Sequence, residues 1–210
     1  MACPKATRPP SKKTKSPGKH TSVSPFDIIT PLHNAFRRDI GGLDQAVYEV
    51  AKSGGNAAPV LERLQAVDAY LRIQAGGEDD VPFPALEAVA PNVAKAFFLD
   101  HRELDSMTED TEKVMISSNE LEASRGMAGL WTHLRIHVDK EDGFLYPLVR
   151  EIILANQHGS VTGKMWSASR TRRCRASSHG SWQTPPTTSE RRPRVWQMLM
   201  PEQIFGSSRV

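Results

Sequence analysis

The chain has 210 residues, of which 39% are hydrophobic, so it is long and apolar enough to bury the core of one domain. Its sequence has no run of 18 apolar residues, which argues against a membrane span, and no apolar stretch typical of a secretory signal near the N-terminus. We therefore expect a cytoplasmic protein. The two cysteines, Cys3 and Cys174, provide neither a disulfide framework nor a zinc ribbon.

The net charge of +3 is distributed unevenly along the chain. Residues 1–22 carry +6 and residues 168–194 carry another +6, whereas residues 195–210 balance. The intervening residues 23–167 therefore carry −9. An acidic body repels phosphate backbones, so we expect no nucleic-acid partner for this region, although a contact made by the basic tails alone stays open.

Residues 1–24 are rich in Pro, Lys, Ser and Thr, a composition that predicts a disordered basic arm. Ser24 followed by Pro25 is a helix start signal. From there, apolar residues recur every three or four positions, which predicts helices over residues 29–50, 60–78, 91–122 and 130–152, with a turn near residues 124–126. The pattern indicates an all-α fold, an up-down-up-down four-helix bundle over residues 25–157, followed by an irregular C-terminal extension over residues 158–210.

Each predicted helix carries residues of metal-ligand type where an aliphatic residue is expected. They are His33 on the first helix, Gln74 and Glu78 on the second, His101 on the third, and His137 and Glu141 on the fourth. A four-residue step places both members of a pair on one helical face. Imidazole combined with carboxylate suits iron, manganese or zinc, and bundle cores are where such sites are built. The pattern therefore predicts a shared metal site in the core.

A simpler interpretation exists for each of these residues. A lone histidine on an apolar face is more often a core residue than a ligand, and a helix rotated outward would leave Glu78 in an exposed acidic cluster with Asp79 and Asp80. His133 and Asp105 are expected to flank the site. The metal hypothesis is favoured because all four helices contribute, and because residues 71–86 and 134–149 align as LRIQAGGEDDVPFPAL and LRIHVDKEDGFLYPLV.

On these residues, the chain from about Phe26 to Leu154 resembles the bacterial hemerythrin-like domain of the HHE cation-binding type. The motifs that carry the resemblance are LHNAFRRDI with His33, QAGGEDDVPFPAL with Glu78, DHRELD with His101, and HVDKEDGFLYPL with His137 and Glu141. The resemblance implies a carboxylate-bridged, non-haem di-iron centre, with iron as the cofactor, that binds or senses O2, NO or peroxide. No catalytic apparatus is evident beyond the metal site, and redox turnover would need an external reductant.

Gln74 departs from the family pattern, which has histidine at this position. The amide oxygen of glutamine is a weaker donor than an imidazole nitrogen, and its NH2 group cannot ligate. We therefore expect binding of a second metal to weaken by about tenfold or more. Gly76 and Gly77 should also weaken the second helix by about 1 kcal/mol each. Two alternatives stay open: a single-metal or iron-handling site weakened by Gln74, and a metal-free helical interaction module.

Residues 168–194 are rich in Arg, Ser, Pro and Thr and lack periodicity. The flanking segments GKMWS and VWQMLMPEQIF resemble the C-terminal extension of longer family members. The intervening stretch is either an out-of-frame reading between two compensating shifts or a natural basic linker. Both interpretations predict a segment without stable structure.

Overall fold

The computed structural model describes residues 24–153, 157, 159–165 and 167. Its elements are α1 (Ile29–Ser53), α2 (Ala58–Asp80), α3 (Pro82–Glu87), α4 (Val93–Ile116), α5 (Glu120–Lys140) and α6 (Tyr146–Ile152), with a 3-10 turn at Pro25–Ile28 and a π-helical turn at Glu141–Leu145. No strand occurs among the described residues, which confirms the all-α prediction. The predictions for residues 1–23 and 168–210 lie outside the described residues.

The helical domain begins where the sequence predicted it. The Ser24 hydroxyl accepts a hydrogen bond from the Phe26 N–H at 3.3 Å, and the Asp27 carboxylate accepts one from the Ser24 N–H at 2.6 Å. This reciprocal capping satisfies backbone donors at the start of the helix, and Pro25 occupies the first helical position, where its missing N–H costs nothing.

The four long helices form a bundle. α1 packs against α2 and α5, and α4 packs against the same two helices. Among the described residues, no helix has the length and apolarity needed to cross a membrane. The helical bundle is therefore confirmed, and its up-down-up-down order stays a prediction.

The buried polar residues lie between two apolar clusters. The first cluster includes Phe36, Ile40, Leu64, Leu130 and Leu134, and the second includes Phe26, Ile29, Phe83, Phe97, Leu145 and Val149. In α1, for example, His33 lies between Ile29 of the second cluster and Phe36 of the first. The metal-ligand types predicted from sequence therefore form a buried polar layer among the apolar side chains of the core.

The second helix ends as expected, since α2 stops at Asp80, and Pro82 and Pro84 then lie in the short helix α3, because proline is compatible with the first turn of a helix. Two other predicted boundaries are wrong. The next helix, α4, begins at Val93 rather than Pro91, after Asn92 in a left-handed conformation with φ of 72°. The predicted turn near residues 124–126 lies inside α5, whose start is instead capped by the Asn119 side chain.

A glycine is found at position 126, inside α5, because α4 packs closely against α5 at that point. A Cβ at Gly126 would lie 2.8 Å from Oγ1 of the buried Thr111 on α4. Gly126 therefore allows α4 and α5 to pack closely, and it does not mark a turn of the chain.

Candidate metal centre

The six predicted residues converge in the core. His33, Gln74, Glu78, His101, His137 and Glu141 are all buried, with at most 5% of any residue exposed. Their donor atoms form two groups, His101–His137–Glu141 and His33–Glu78–Glu141, and within each group the atoms lie within 4.8 Å of one another. Glu141 belongs to both groups. Each group could therefore hold a metal cation, and the two groups have one carboxylate in common.

Glu141 opens the π-helical turn that joins α5 to α6. Such a turn adds a residue to the helix and is frequent at functional sites. Here Glu141 Oε2 lies 3.2 Å from His33 Nε2, and the next residue, Asp142, places Oδ1 2.9 Å from the Nδ1 of the same imidazole. Two successive residues of the turn thus face the two nitrogens of His33.

Each of the three imidazoles of the centre has an aspartate within hydrogen-bond distance of its Nδ1. The Nδ1–aspartate pairs are His33–Asp142 at 2.9 Å, His101–Asp79 at 2.8 Å and His137–Asp100 at 3.3 Å. A carboxylate at Nδ1 holds the proton on that nitrogen and raises the basicity of the other one. The pairs therefore favour, in all three rings, the tautomer whose Nε2 carries no proton.

The Nε2 atoms face the two glutamates. His137 Nε2 lies 3.0 Å from Glu141 Oε1, and His101 Nε2 lies 3.4 Å from Glu78 Oε2. Within the described part of the chain, Glu78 Oε2 and both carboxylate oxygens of Glu141 nevertheless accept no hydrogen bond of regular geometry. Buried carboxylate oxygens without partners are costly. A cation between the nitrogens and these oxygens would supply the missing partner, so the residues fit a metal.

The electrostatics of the cluster favour a positive charge. Burial alone would lower the pKa of His33, but Asp142 and Glu141 outweigh it and raise the pKa to about 9. The pKa values of His101 and His137 are raised in the same way by carboxylates that outweigh burial. Burial would raise the pKa of Glu141, yet the imidazoles lower it well below its ordinary range. This negative field attracts protons or metal cations to the same place.

Two aromatic side chains complete the centre. The Tyr146 hydroxyl donates a hydrogen bond to Glu78 Oε1. Burial and the charge of Glu78 raise the pKa of Tyr146 well above its ordinary value, so the hydroxyl stays protonated as a donor. Phe83 stacks on the His101 ring, with centroids 5.3 Å apart. Phe83 and Tyr146 hold equivalent places in the two aligned segments, so the repeat extends to the aromatic lining.

Gln74 takes part in the cluster through its amide nitrogen. Gln74 Nε2 lies 2.6 Å from His33 Nε2 and 2.8 Å from Glu78 Oε1. The helix α2 continues through Gly76 and Gly77, which are both buried next to these residues. The expected local weakness of α2 therefore does not interrupt the helix at the centre.

A cavity of about 30 Å³ adjoins the centre between α2, α4 and α5. Gln74, Glu78, His101 and His137 line one part of it, and its lining extends to Asp68. This volume has room for one or two water-sized molecules.

Sequence reasoning missed the three aspartates behind the imidazoles. It treated Asp79 as part of an exposed cluster, whereas the side chain of Asp79 is 2% exposed and only Asp80 of that trio faces solvent. Glu78 is completely buried, so the exposed-cluster interpretation is wrong for it. A usable signal was present, since both aligned segments read Glu-Asp, giving Glu78-Asp79 and Glu141-Asp142.

The two flanking residues named from sequence lie apart from the donor groups. Asp105 pairs with Arg72 at 3.3 Å and with Arg102 at 3.6 Å. His133 is half-buried and belongs to neither donor group. The expectation that these residues flank the site stays a prediction.

An all-α bundle that gathers buried imidazoles and carboxylates from four helices defines a cation-binding helical protein. A family model described as the hemerythrin HHE cation binding domain matches residues 24–149, so the chain belongs to that family. Its attribution to bacteria stays a prediction.

Two curated relatives are zinc finger proteins named BRUTUS-like, both from Arabidopsis thaliana. One is 29% identical over 111 residues, covering 51% of this chain and 9% of the relative. The other is 30% identical over 101 residues, covering 47% of this chain and 8% of the relative. The matched part of the chain thus spans less than a tenth of these relatives. No solved structure matches the chain significantly.

Proposed function

We propose that this protein is a non-haem di-iron protein that binds or senses a small ligand, namely O2, NO or peroxide. The observation that carries the proposal is the position of Glu141 in both donor groups, because a shared carboxylate is what two neighbouring cations require. Imidazole nitrogen with carboxylate oxygen is a donor set that suits iron. Bound iron would supply a coordination position to which a small diatomic molecule can bind.

The residues have separate roles in this proposal. His101 and His137 would hold one ion and His33 and Glu78 the other, with Glu141 between them. The aspartates at each Nδ1 keep the imidazoles in the tautomer that can ligate. Tyr146 donates to Glu78 Oε1 and leaves Oε2 available to a cation.

The cavity supports a small ligand. At about 30 Å³ its space is of the size of a diatomic molecule or peroxide. The cavity borders His101 and His137, so we propose that the ligand approaches the ion held by these residues.

The test is metal analysis of the full chain after anaerobic expression with iron, followed by absorption spectra on exposure to O2 or NO. We expect about two irons per chain and a new charge-transfer band. A second candidate, a single-metal or iron-handling site, is favoured by the amide nitrogen of Gln74 against His33, and would give about one iron and no band. A folded, metal-free protein whose melting is unchanged by chelators would contradict both and support a helical interaction module.

A further inference from the structure

The carboxamide of Gln74 lies at the junction of the two donor groups. Its nitrogen contacts His33 Nε2 at 2.6 Å and Glu78 Oε1 at 2.8 Å. Both contacts are buried. The amide thus covers the nitrogen through which His33 would bind a cation.

The surroundings fix which end of the amide faces the histidine. Reversing the amide would place its oxygen about 2.8 Å from a carboxylate oxygen of Glu78, where two acceptors repel, so the NH2 group must face both partners. With the NH2 group 2.6 Å away, His33 Nε2 is the atom that accepts from the amide. The other nitrogen of the ring, Nδ1, lies 2.9 Å from Asp142 Oδ1 and donates to it.

The hydrogen bonds of the Gln74 amide nitrogen to His33 and Glu78 lie outside the other donor group. In that group, His101 Nε2 faces Glu78 Oε2 at 3.4 Å and His137 Nε2 faces Glu141 Oε1 at 3.0 Å. A cation can enter this group without breaking a hydrogen bond of the cluster. A cation entering the His33 group must first displace the Gln74 amide from both of its partners.

We infer that Gln74 makes the centre load its metals in a fixed order. The first ion binds at His101, His137 and Glu141, and the second binds at His33 only when the amide has turned away. The turned amide can then offer its oxygen, a weaker donor than imidazole. This inference rests on the proposed two-metal function and adds a regulation of it. The second ion should bind at least about tenfold more weakly than the first, which is the smaller loss of metal affinity expected when a supporting contact is removed.

The test is calorimetric titration of the metal-free full chain with Fe²⁺ alone under anaerobic conditions. We expect two separate steps whose dissociation constants differ by about tenfold or more. Gln74→His removes the amide and restores a nitrogen, so the two steps should merge into one. His33→Ala should abolish only the weaker step, whereas the matched variant His137→Ala should abolish only the tighter one. Circular dichroism checks that each variant keeps its helices.

The outcomes separate the two proposals. Two ions that bind the unaltered chain with equal affinity would overturn the loading order and leave the di-metal function standing. The order would also be overturned if His33→Ala removed the tighter step, or if Gln74→His still gave two separated steps. An unaltered chain that binds no Fe²⁺ would overturn the proposed function, and the loading order with it.

Discussion

Replacement of Asp79 by asparagine should weaken metal binding through His101 without altering the shape of the site. Asp79 Oδ1 lies 2.8 Å from His101 Nδ1, and its other oxygen lies 3.1 Å from Arg102 Nη2. Asparagine fills the same volume and can still accept the hydrogen bond from Nδ1. The change therefore removes the negative charge that makes the imidazole a stronger donor.

The size of the effect follows from the charge and burial of this contact. A hydrogen bond to a charged group contributes about 1.5–3 kcal/mol and one between neutral groups about 0.5–1.5 kcal/mol. The Asp79 side chain is 2% exposed, so solvent screens the pair little. The difference, about 1–1.5 kcal/mol, corresponds to a roughly five- to tenfold loss of affinity for the ion held by His101.

The neighbouring Asp80 provides a matched control. It is exposed, and Asp80→Asn removes the same charge one residue further along the chain. In anaerobic Fe²⁺ titrations, we expect Asp79→Asn to weaken the first step and Asp80→Asn to change it by less than about twofold. Equal losses in both variants would attribute the effect to net charge, and an unchanged first step in Asp79→Asn would refute the argument from the hydrogen bond.

Three further predictions address the centre, the buried charge beside it and the packing of the bundle. Glu141→Ala removes a donor from both groups, so metal analysis should find less metal bound to the variant. Its melting temperature should also fall, because bound metal contributes to folding. Full metal content would show that this carboxylate is no ligand. Burial raises the pKa of Asp68 to about 6 in spite of Arg72, so the wild type loses stability as pH rises from about 4 to about 6. Asp68→Asn should therefore gain up to about 3 kcal/mol at pH 7 and little at pH 4 in urea unfolding, and an equal gain at both pH values would rule out the charge as the cause. Gly126→Ala places Cβ 2.8 Å from Thr111 Oγ1. The overpacking, partly offset by the better helix propensity of alanine, should lower the free energy of unfolding by about 1 kcal/mol. A second change of Thr111 to Ala should restore this loss in the same urea assay.

The bundle and its polar layer could be predicted because the buried residues of a helix recur in the sequence every three or four positions. Each of the six metal-ligand types stands at a spacing that places it among apolar neighbours, as His33 stands between Ile29 and Phe36. Helix periodicity therefore fixed which residues face inward, and their convergence followed from the short connections. Their roles as ligands stay predictions.

The supporting residues were beyond this reasoning because their burial depends on neighbouring helices. Asp100, for example, looks like an ordinary surface acid in the sequence, and only the packing of α4 against α5 shows that it lies beside His137. The π-helical turn has no periodic signature either, so the fourth stripe looked continuous from residue 130 to residue 152.

The number of residues in the π-helical turn at Glu141–Leu145 sets the rotation of α6 relative to α5. A helix of regular pitch rotates by about 100° per residue, so deleting one residue from this turn would swing α6 by that angle relative to α5. Tyr146 would leave Glu78, and Val149 would turn out of its apolar surroundings. A single-codon deletion in this segment would therefore turn α6 away from the centre.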